Sequence, residues 1–216
     1  SFGLNEFVLC LGYKSETVVE FFRQQPGEIQ QVASQPELPS IHKFTGLINN
    51  VHCAVTMADT GLDAMTGARL RKVANLIGQE TFMLSYGDGL SDVNLNKLVK
   101  HHEVNKKILT VTGVRPPSRF GELQVDDQNN VTGFNEKPQA SGGRISGGFF
   151  VCEPNVFDYL ENREDLVFEK EPIQSIVHEH KMTMYPHDEF WQCMDTYRDW
   201  ELLNQMYKSG KAPWVR

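Results

Sequence analysis

The chain has 216 residues and a formal net charge of −7, with 40% hydrophobic and 23% charged residues. This composition is ordinary for a folded globular protein. The negative charge argues against a nucleic-acid-binding surface, which normally carries a basic stripe. No apolar run approaches the roughly 20 residues of a membrane-spanning helix, and no signal-peptide pattern is present at the start of the sequence. The length suits one sizeable domain, so we expect residues 1–216 to form a single domain.

The first half of the chain alternates strand and helix patterns. Ser15–Arg23 has apolar residues at helical spacing, with Ser15 as the expected N-cap. Residues 24–50 are polar and proline-containing, and we expect an irregular excursion that covers a neighbouring subunit in a homo-oligomer. The other predicted elements are strands over 7–11, 51–57 and 81–86 and a helix over 66–77. Because the chain opens almost directly on a strand, we expect one further strand and helix on its N-terminal side.

The second half continues the alternation. Helices are predicted over 94–103, 155–161, 171–179 and 196–209, and strands over 108–114, 121–125, 131–135, 145–152 and 182–185. Strands that alternate with helices predict an α/β fold with a mostly parallel sheet covered on both faces. The four cysteines (Cys10, Cys53, Cys152 and Cys193) form no CxxC pair. They predict reduced core thiols and a cytoplasmic location.

Two short acidic turns are the most informative local feature. Asp88 lies between two glycines directly after an apolar strand pattern, and Asp195 follows a second apolar stretch. Such turns present a carboxylate at the carboxyl edge of an α/β sheet, where ligands bind. Two carboxylates could share one Mg²⁺, whose other ligands are usually waters and substrate phosphates. The alternative is that Asp88 caps one helix and Asp195 opens another.

Three further groups of residues are typical of an anionic, sugar-like ligand, although each has a purely structural alternative. The turns at Thr60-Gly61 and Met65–Arg69 lead into a helix, whose first N–H groups could bind a phosphate or a base carbonyl; the alternative is an ordinary capped helix. Lys137 between Glu136 and Pro138 could meet a phosphate, or form an exposed ion pair with Glu136. The glycines near 121 and 147–148 allow a ligand to approach closely, or relieve crowding in a bent sheet.

Together these motifs resemble the sugar-1-phosphate nucleotidylyltransferases, over nearly the whole chain. The order and joint presence of the motifs carry the resemblance, since each is weak alone. They are Asp59-Thr60-Gly61, Met65-Thr66-Gly67, Tyr86-Gly87-Asp88-Gly89, Arg119-Phe120-Gly121, Glu136-Lys137-Pro138, Gly147-Gly148-Phe149-Phe150, Phe190-Trp191 and Met194-Asp195-Thr196. The pattern is most similar to the cytidylyl-transferring branch of this family.

The resemblance implies a Rossmann-like nucleotidyltransferase fold with a mixed central sheet. It also implies attack by a phosphate oxygen of glucose 1-phosphate on the α-phosphorus of CTP, with release of pyrophosphate. Mg²⁺ would be held by Asp88 and Asp195. The residues implied at the nucleotide are Thr60, Gly61, Ala64, Thr66, Gly67, Arg69 and Gly87. Those implied at the sugar phosphate are Gly121, Glu136, Gly148 and Lys137, the last also in a catalytic role.

The sequence departs from the family pattern in three places. Nothing in residues 1–216 matches the family's Gly-rich triphosphate loop, so we expect a chain without that loop to have little transferase activity. Ala64 stands where a serine is expected, and Ser146 where an asparagine is expected. Two alternatives therefore stay open: a sister enzyme that uses dTTP or UTP, and a catalytically silent subunit that binds sugar nucleotides.

Overall fold

The computed structural model describes residues 2–32, 34, 38, 40–115, 122–135 and 143–215, and for residues 122–125, 134 and 135 it describes the backbone alone. The chain divides into two compact units. Unit 1 comprises Ser1–Phe82 and Glu153–Lys181, and unit 2 comprises Met83–Cys152 and Met182–Arg216. The prediction of a single domain over residues 1–216 stays a prediction.

The elements follow one another in mixed α/β order. They are β1 (Glu6–Leu11), α1 (Ser15–Arg23), β2 (Gly27–Val32), β3 (Ile41–Ile48), β4 (Val51–Asp59), α2 (Thr66–Lys72), α3 (Ala74–Ile77), β5 (Phe82–Ser85), β6 (Gly89–Ser91), α4 (Leu95–Asn105), β7 (Leu109–Val114), β8 (Glu122–Val125), β9 (Val131–Asn135), β10 (Ile145–Cys152), a 3-10 helix (Pro154–Tyr159), α5 (Glu171–His178), β11 (Met182–His187), β12 (Trp191–Cys193) and α6 (Tyr197–Lys208).

Unit 1 is built on a four-stranded sheet with the order β1-β4-β3-β2. β1 and β4 run parallel, whereas the β4–β3 and β3–β2 pairs are antiparallel. The apolar stripe of α1 explains how this helix docks, because Val19 and Phe22 are buried in one cluster with Phe44 and Met57 of the sheet. Each such side chain contributes about 1.5–3 kcal/mol by leaving water. The carboxyl ends of β1 and β4 therefore lie side by side on a well-packed base.

Unit 2 contains a second four-stranded sheet with the order β11-β7-β10-β5. All six residues of β7 are buried, which fits its run of β-branched and apolar side chains. β7 pairs in parallel with β11 and antiparallel with β10. Its neighbours Phe150 and Val151 on β10 are also fully buried, so this strand anchors the glycine pair that precedes them.

A two-stranded ladder in unit 2 carries the two acidic turns. β6 begins directly after Asp88, and β12 ends two residues before Asp195. The two strands are antiparallel, with Gly89 opposite Cys193 and Ser91 opposite Trp191. Neither strand was predicted, because three residues are too few for a periodic pattern.

Several predicted elements differ from the structure. The expectation that residues 24–50 form an irregular excursion is wrong, because β2 and β3 lie there and pair with the sheet of unit 1. The predicted helix over 66–77 is divided into α2 and α3 at Val73. Ser15 is not the N-cap of α1, since Lys14 occupies that position with φ 57°.

The mixed α/β fold is confirmed, with fewer parallel strand pairs than the sequence predicted. Among the pairs whose direction is described, β1–β4 and β7–β11 are parallel, and the others are antiparallel. For the pairs β2–β3, β3–β4 and β8–β9, the reason is that the two strands follow each other in the chain without an intervening crossover helix. No helix in the described part of the chain is long and apolar enough to cross a membrane. Cys53 and Cys152 are buried and free, as predicted, whereas Cys10 is an exposed residue and Cys193 a partly exposed one, so these two are not core residues.

Candidate active site

The structure brings the Asp88 and Asp195 turns onto neighbouring segments. The backbone N–H of Met194 donates to the carbonyl oxygen of Asp88 at 2.8 Å, which extends the β6–β12 ladder by one pair. Asp88 therefore lies opposite Met194, the residue directly before Asp195. Both aspartates are exposed. The alternative that they are helix-terminal residues is wrong, since Asp88 lies in a turn before a strand and the N-cap of α6 is Thr196.

The donor set around the two turns fits a particular kind of metal site. Among the described residues, no group of three or more His, Cys, Asp or Glu side chains could hold a metal ion by itself. Zinc and calcium sites built from protein ligands alone need such a group. Mg²⁺ needs only one or two carboxylates when substrate phosphates complete its coordination. Two exposed carboxylates on adjoining turns suit that requirement.

The thiol of Cys193 contacts one of these carboxylates. Its Sγ donates to Oδ2 of Asp195 at 3.1 Å. The pKa of the Cys193 thiol is raised to about 11, mainly because the thiol is buried and secondly because it donates a hydrogen bond to Asp195. The thiol is therefore protonated at neutral pH and serves as a hydrogen-bond donor rather than as a nucleophile.

A glycine bulge on β10 lies against the same two turns. The register of β10 against β7 shifts between Ser146 and Phe150, and Gly148 takes φ 75°, a conformation that favours glycine. A Cβ at Gly148 would lie 2.9 Å from the Tyr86 ring. The indole N–H of Trp191 donates to the carbonyl oxygen of Gly147 at 2.8 Å. Tyr86 precedes the Asp88 turn and Trp191 begins the strand before Asp195, so the bulge packs against both segments that carry the acidic turns.

Sequence reasoning missed the contacts that assemble this site. The sequence pattern assigns no role to Phe190-Trp191 and predicts Tyr86 only as the end of a strand. The available signal was that both aromatic residues lie within a few positions of an acidic turn. Gly87 is exposed and a Cβ there would meet no atom within 4 Å, and its assignment to the nucleotide stays a prediction.

In unit 1, Arg69 and Thr60 form an internal brace. The Nη1 group of Arg69 donates to the carbonyl oxygen of Leu11 at 2.9 Å and to Oγ1 of Thr60 at 2.7 Å. Nη2 donates to the carbonyl oxygen of Leu62 at 3.3 Å. Thr60 is fully buried, and its hydroxyl donates to Leu11 at 2.7 Å. These groups hold the end of β1 to the turn after β4, so Thr60 shapes the turn rather than contacts a ligand through its side chain.

The prediction that the first N–H groups of α2 are available to bind a phosphate or a base carbonyl is wrong. The backbone N–H groups of Gly67 and Ala68 donate to the carbonyl oxygen of Leu166 at 2.9 and 3.2 Å. The Thr66 hydroxyl donates to Glu169 at 2.8 Å and accepts from the N–H of Phe168 at 2.9 Å. The helix start is therefore occupied by the chain itself.

The remaining predicted site residues divide into two groups. Gly61 has φ 93° and donates its N–H to Oδ1 of Asp59 at 3.0 Å, so glycine is required by the turn. Ala64 is buried. Gly121, Glu136 and Lys137 lie outside the described residues, and their assignment to the sugar phosphate stays a prediction.

Comparison with known proteins identifies the class. The profile of the family described as "Nucleotidyl transferase" matches residues 15–205. The chain belongs to this family, and it is a nucleotidyltransferase. Its Rossmann-like fold is similar to that of HddC from Yersinia pseudotuberculosis, with a TM-score of 0.64 at 15% identity, over 95% of this chain and 80% of the other.

Two relatives narrow the likeness further. The chain is 37% identical to a probable glucose-1-phosphate cytidylyltransferase of Bacillus subtilis (strain 168), over 99% of this chain and 82% of the relative. It is 35% identical to a glucose-1-phosphate cytidylyltransferase of Salmonella typhi, over 98% of this chain and 81% of the relative. The resemblance inferred from the motifs is thereby confirmed.

Proposed function

We propose that this nucleotidyltransferase joins CTP to glucose 1-phosphate, giving CDP-glucose and pyrophosphate, with Mg²⁺ held between Asp88 and Asp195. The names of the two relatives support the choice of substrates. The observation that carries the metal assignment is the bond from the Met194 N–H to the Asp88 carbonyl, which brings two exposed carboxylates from distant parts of the sequence onto adjoining turns.

The reaction needs alignment more than covalent chemistry from the protein. A phosphate oxygen of the sugar forms a bond to the α-phosphorus of CTP, and the bond from that phosphorus to the pyrophosphate oxygen breaks. The chain's residues orient the two substrates in line and balance their charge. When bound, Mg²⁺ supplies positive charge at the reacting oxygens. The glycines of the β10 bulge are packed against Val114 and Tyr86, where a Cβ would lie 2.7 and 2.9 Å away, so they relieve crowding beside the segment that carries Asp88.

Charge gives the clearest test of the two aspartates. Two exposed carboxylates repel the triphosphate of CTP unless a cation lies between them. The substitution Asp88→Asn should therefore weaken CTP binding in Mg²⁺ and strengthen it slightly in EDTA. Calorimetric titration with CTP in both buffers measures this reversal. Asp158→Asn, an exposed aspartate on the 3-10 helix of unit 1, is the matched control and should change neither affinity. Equal effects of Asp88→Asn in both buffers would contradict the metal assignment.

Activity tests the substrate assignment separately. The full-length gene product should release pyrophosphate from CTP and glucose 1-phosphate much faster than from UTP, dTTP or GTP. A preference for UTP or dTTP would favour the sister-enzyme alternative, and binding without turnover would favour a silent subunit. Because nothing in residues 1–216 matches the Gly-rich triphosphate loop, we expect this chain to show little turnover. Homo-oligomer formation stays a prediction, which light scattering on the same samples would test.

A further inference from the structure

A buried polar cluster closes the end of the β6–β12 ladder that is remote from the two aspartates. His187 is 7% exposed, and its Nε2 lies 3.1 Å from Oδ1 of Asp92, 3.2 Å from Oγ of Ser91 and 3.1 Å from the carbonyl oxygen of Phe190. The Ser91 hydroxyl in turn donates to the Phe190 carbonyl at 2.9 Å. Since the Ser91 hydroxyl is already donated to Phe190, the Ser91 oxygen and the Phe190 carbonyl both offer acceptors to Nε2, and the tautomer with the proton on Nε2 fits this environment.

This geometry excludes a nucleophilic triad. In a Ser-His-Asp triad the serine and the carboxylate contact different ring nitrogens. Here Ser91 and Asp92 approach the same nitrogen, and the Ser91 hydroxyl already donates to a backbone carbonyl. The cluster holds chain segments together instead of activating a serine.

The segments that it holds are those that carry the two acidic turns. Ser91 ends β6, which begins directly after Asp88, and Phe190 directly precedes β12, which leads to Asp195. The backbone N–H of Asp92 also donates to Phe190, at 3.3 Å. The Met194–Asp88 bond closes the ladder near the aspartates, and the His187 cluster closes its other end. A ladder of three residue pairs is marginal by itself, so its register depends on these closing contacts.

We propose that His187 is a positioning residue for the metal site: with Asp92 and Ser91 it locks β6 against β12 and thereby fixes the spacing of Asp88 and Asp195. This inference rests on the proposed function of those two aspartates. Arg144 also holds the backbone of His187 next to β7, because it donates to the carbonyl oxygen of His187 at 3.0 Å and to that of Gly113 at 2.9 Å. The backbone of His187 is thus fixed to the central sheet of unit 2.

The test uses Mn²⁺ alone as the probe, titrated into the protein and followed by electron paramagnetic resonance of the free ion. His187→Leu removes the N–H donor at similar volume and should weaken Mn²⁺ binding about 10-fold, the usual loss when a group that orients a metal ligand is removed. His187→Gln keeps an N–H donor near the position of Nε2 and should recover most of the affinity. That rescue separates positioning from mere filling of space.

A matched control removes a comparable histidine elsewhere in the unit. His102 is 2% exposed and its Nδ1 lies 2.7 Å from Oγ1 of Thr110, away from the ladder. His102→Leu should destabilise the protein without changing Mn²⁺ affinity. If His187→Leu does not fold, Ser91→Ala removes one partner of the cluster and should weaken Mn²⁺ binding in the same direction.

The reference variant Asp88→Asn distinguishes the two hypotheses. If Asp88→Asn abolishes Mn²⁺ binding and His187→Leu leaves the affinity unchanged, the positioning role is refuted and the metal site stands. If Asp88→Asn itself binds Mn²⁺ like the parent, the proposed metal site fails, and the positioning role fails with it. Equal loss of affinity in His187→Leu and His102→Leu would also refute the specific role of His187.

Discussion

Replacing Gly148 by alanine should test how the glycine bulge is packed against the acidic turns. Gly148 has φ 75°, and an added Cβ would lie 2.9 Å from Cδ2 of Tyr86. The left-handed conformation costs a residue with a Cβ about 1–2 kcal/mol. Forcing the Tyr86 ring aside adds about 1–3 kcal/mol, as for other overpacked sites. We therefore expect Gly148→Ala to lower the free energy of unfolding of unit 2 by about 2–5 kcal/mol.

A second glycine separates these two causes. Gly210 has φ 69°, but a Cβ there would meet nothing within 4 Å. Gly210→Ala should therefore cost only the conformational part, about 1–2 kcal/mol. Both glycines lie in unit 2, and so do all three tryptophans of the chain. Urea unfolding followed by tryptophan fluorescence consequently reports on the unit in which both substitutions are made.

The contact with Tyr86 is checked by a double-mutant cycle. Tyr86→Val removes the ring atoms beyond the γ position, and the Cγ of Tyr86 lies at an ordinary 3.8 Å from the added Cβ. In the Tyr86→Val background, Gly148→Ala should cost no more than Gly210→Ala does in the parent. If Gly148→Ala costs the same in both backgrounds, or no more than Gly210→Ala in the parent, the packing argument is refuted.

Two other predictions concern the surroundings of the same site. The Arg144 guanidinium, 2.8 Å from both carboxylate oxygens of Asp188, holds the pKa of that carboxyl below its ordinary value. A lowered carboxyl pKa stabilises the fold above the unfolded-state pKa of about 3.9, and this stability is lost as the pH falls through the lower folded-state pKa. Asp188→Asn should therefore lower the free energy of unfolding of unit 2 at pH 7, and lower it by less below pH about 4. Urea unfolding curves at both pH values measure this loss, and a loss that does not change with pH would contradict the prediction. Thr196 caps α6 by accepting a hydrogen bond from the N–H of Asp199 in a capping box. Thr196→Ala should therefore lower the free energy of unfolding by about 1 kcal/mol, and Thr196→Ser, which keeps the hydroxyl, by much less. Equal losses in the two variants would contradict the capping role.

The sequence predicted the elements whose side chains follow one clear period. The predicted bounds of α1, β9 and β10 coincide with those observed, because each segment has a continuous helical or strand pattern. β2 was missed since it is an edge strand with mostly exposed side chains, so that its sequence shows no apolar alternation. The break between α2 and α3 at Val73 was missed because the apolar spacing continues across it.

Site residues could be predicted where they lie in a turn that is recognisable from neighbouring residues. They could not be predicted where their role depends on hydrogen-bond partners that are remote in sequence. The Asp88 and Asp195 turns were found from the residues on either side of each aspartate. The brace made by Arg69 was not, because its partner Leu11 lies 58 positions earlier in the sequence. The Leu166 carbonyl that occupies the start of α2 is likewise remote in sequence from Gly67. Residue type and spacing identify a donor, but only the fold decides whether that donor is already bonded.

Two cationic side chains of unit 1 are already bonded within the protein, which affects how the triphosphate of CTP is neutralised. Arg69 directs three N–H donors to acceptors within unit 1, and Lys72 bonds to Glu164 and to the carbonyl oxygen of Thr60. A cationic side chain that is already paired within the protein stabilises a bound phosphate only weakly, because it must give up or share its existing acceptors to bind it. The chain as a whole carries a net charge of −7. On the proposed function, the divalent cation at Asp88 and Asp195 and the predicted phosphate ligand Lys137 supply positive charge to the substrates, so the dependence of CTP affinity on that cation is the most direct test of the site.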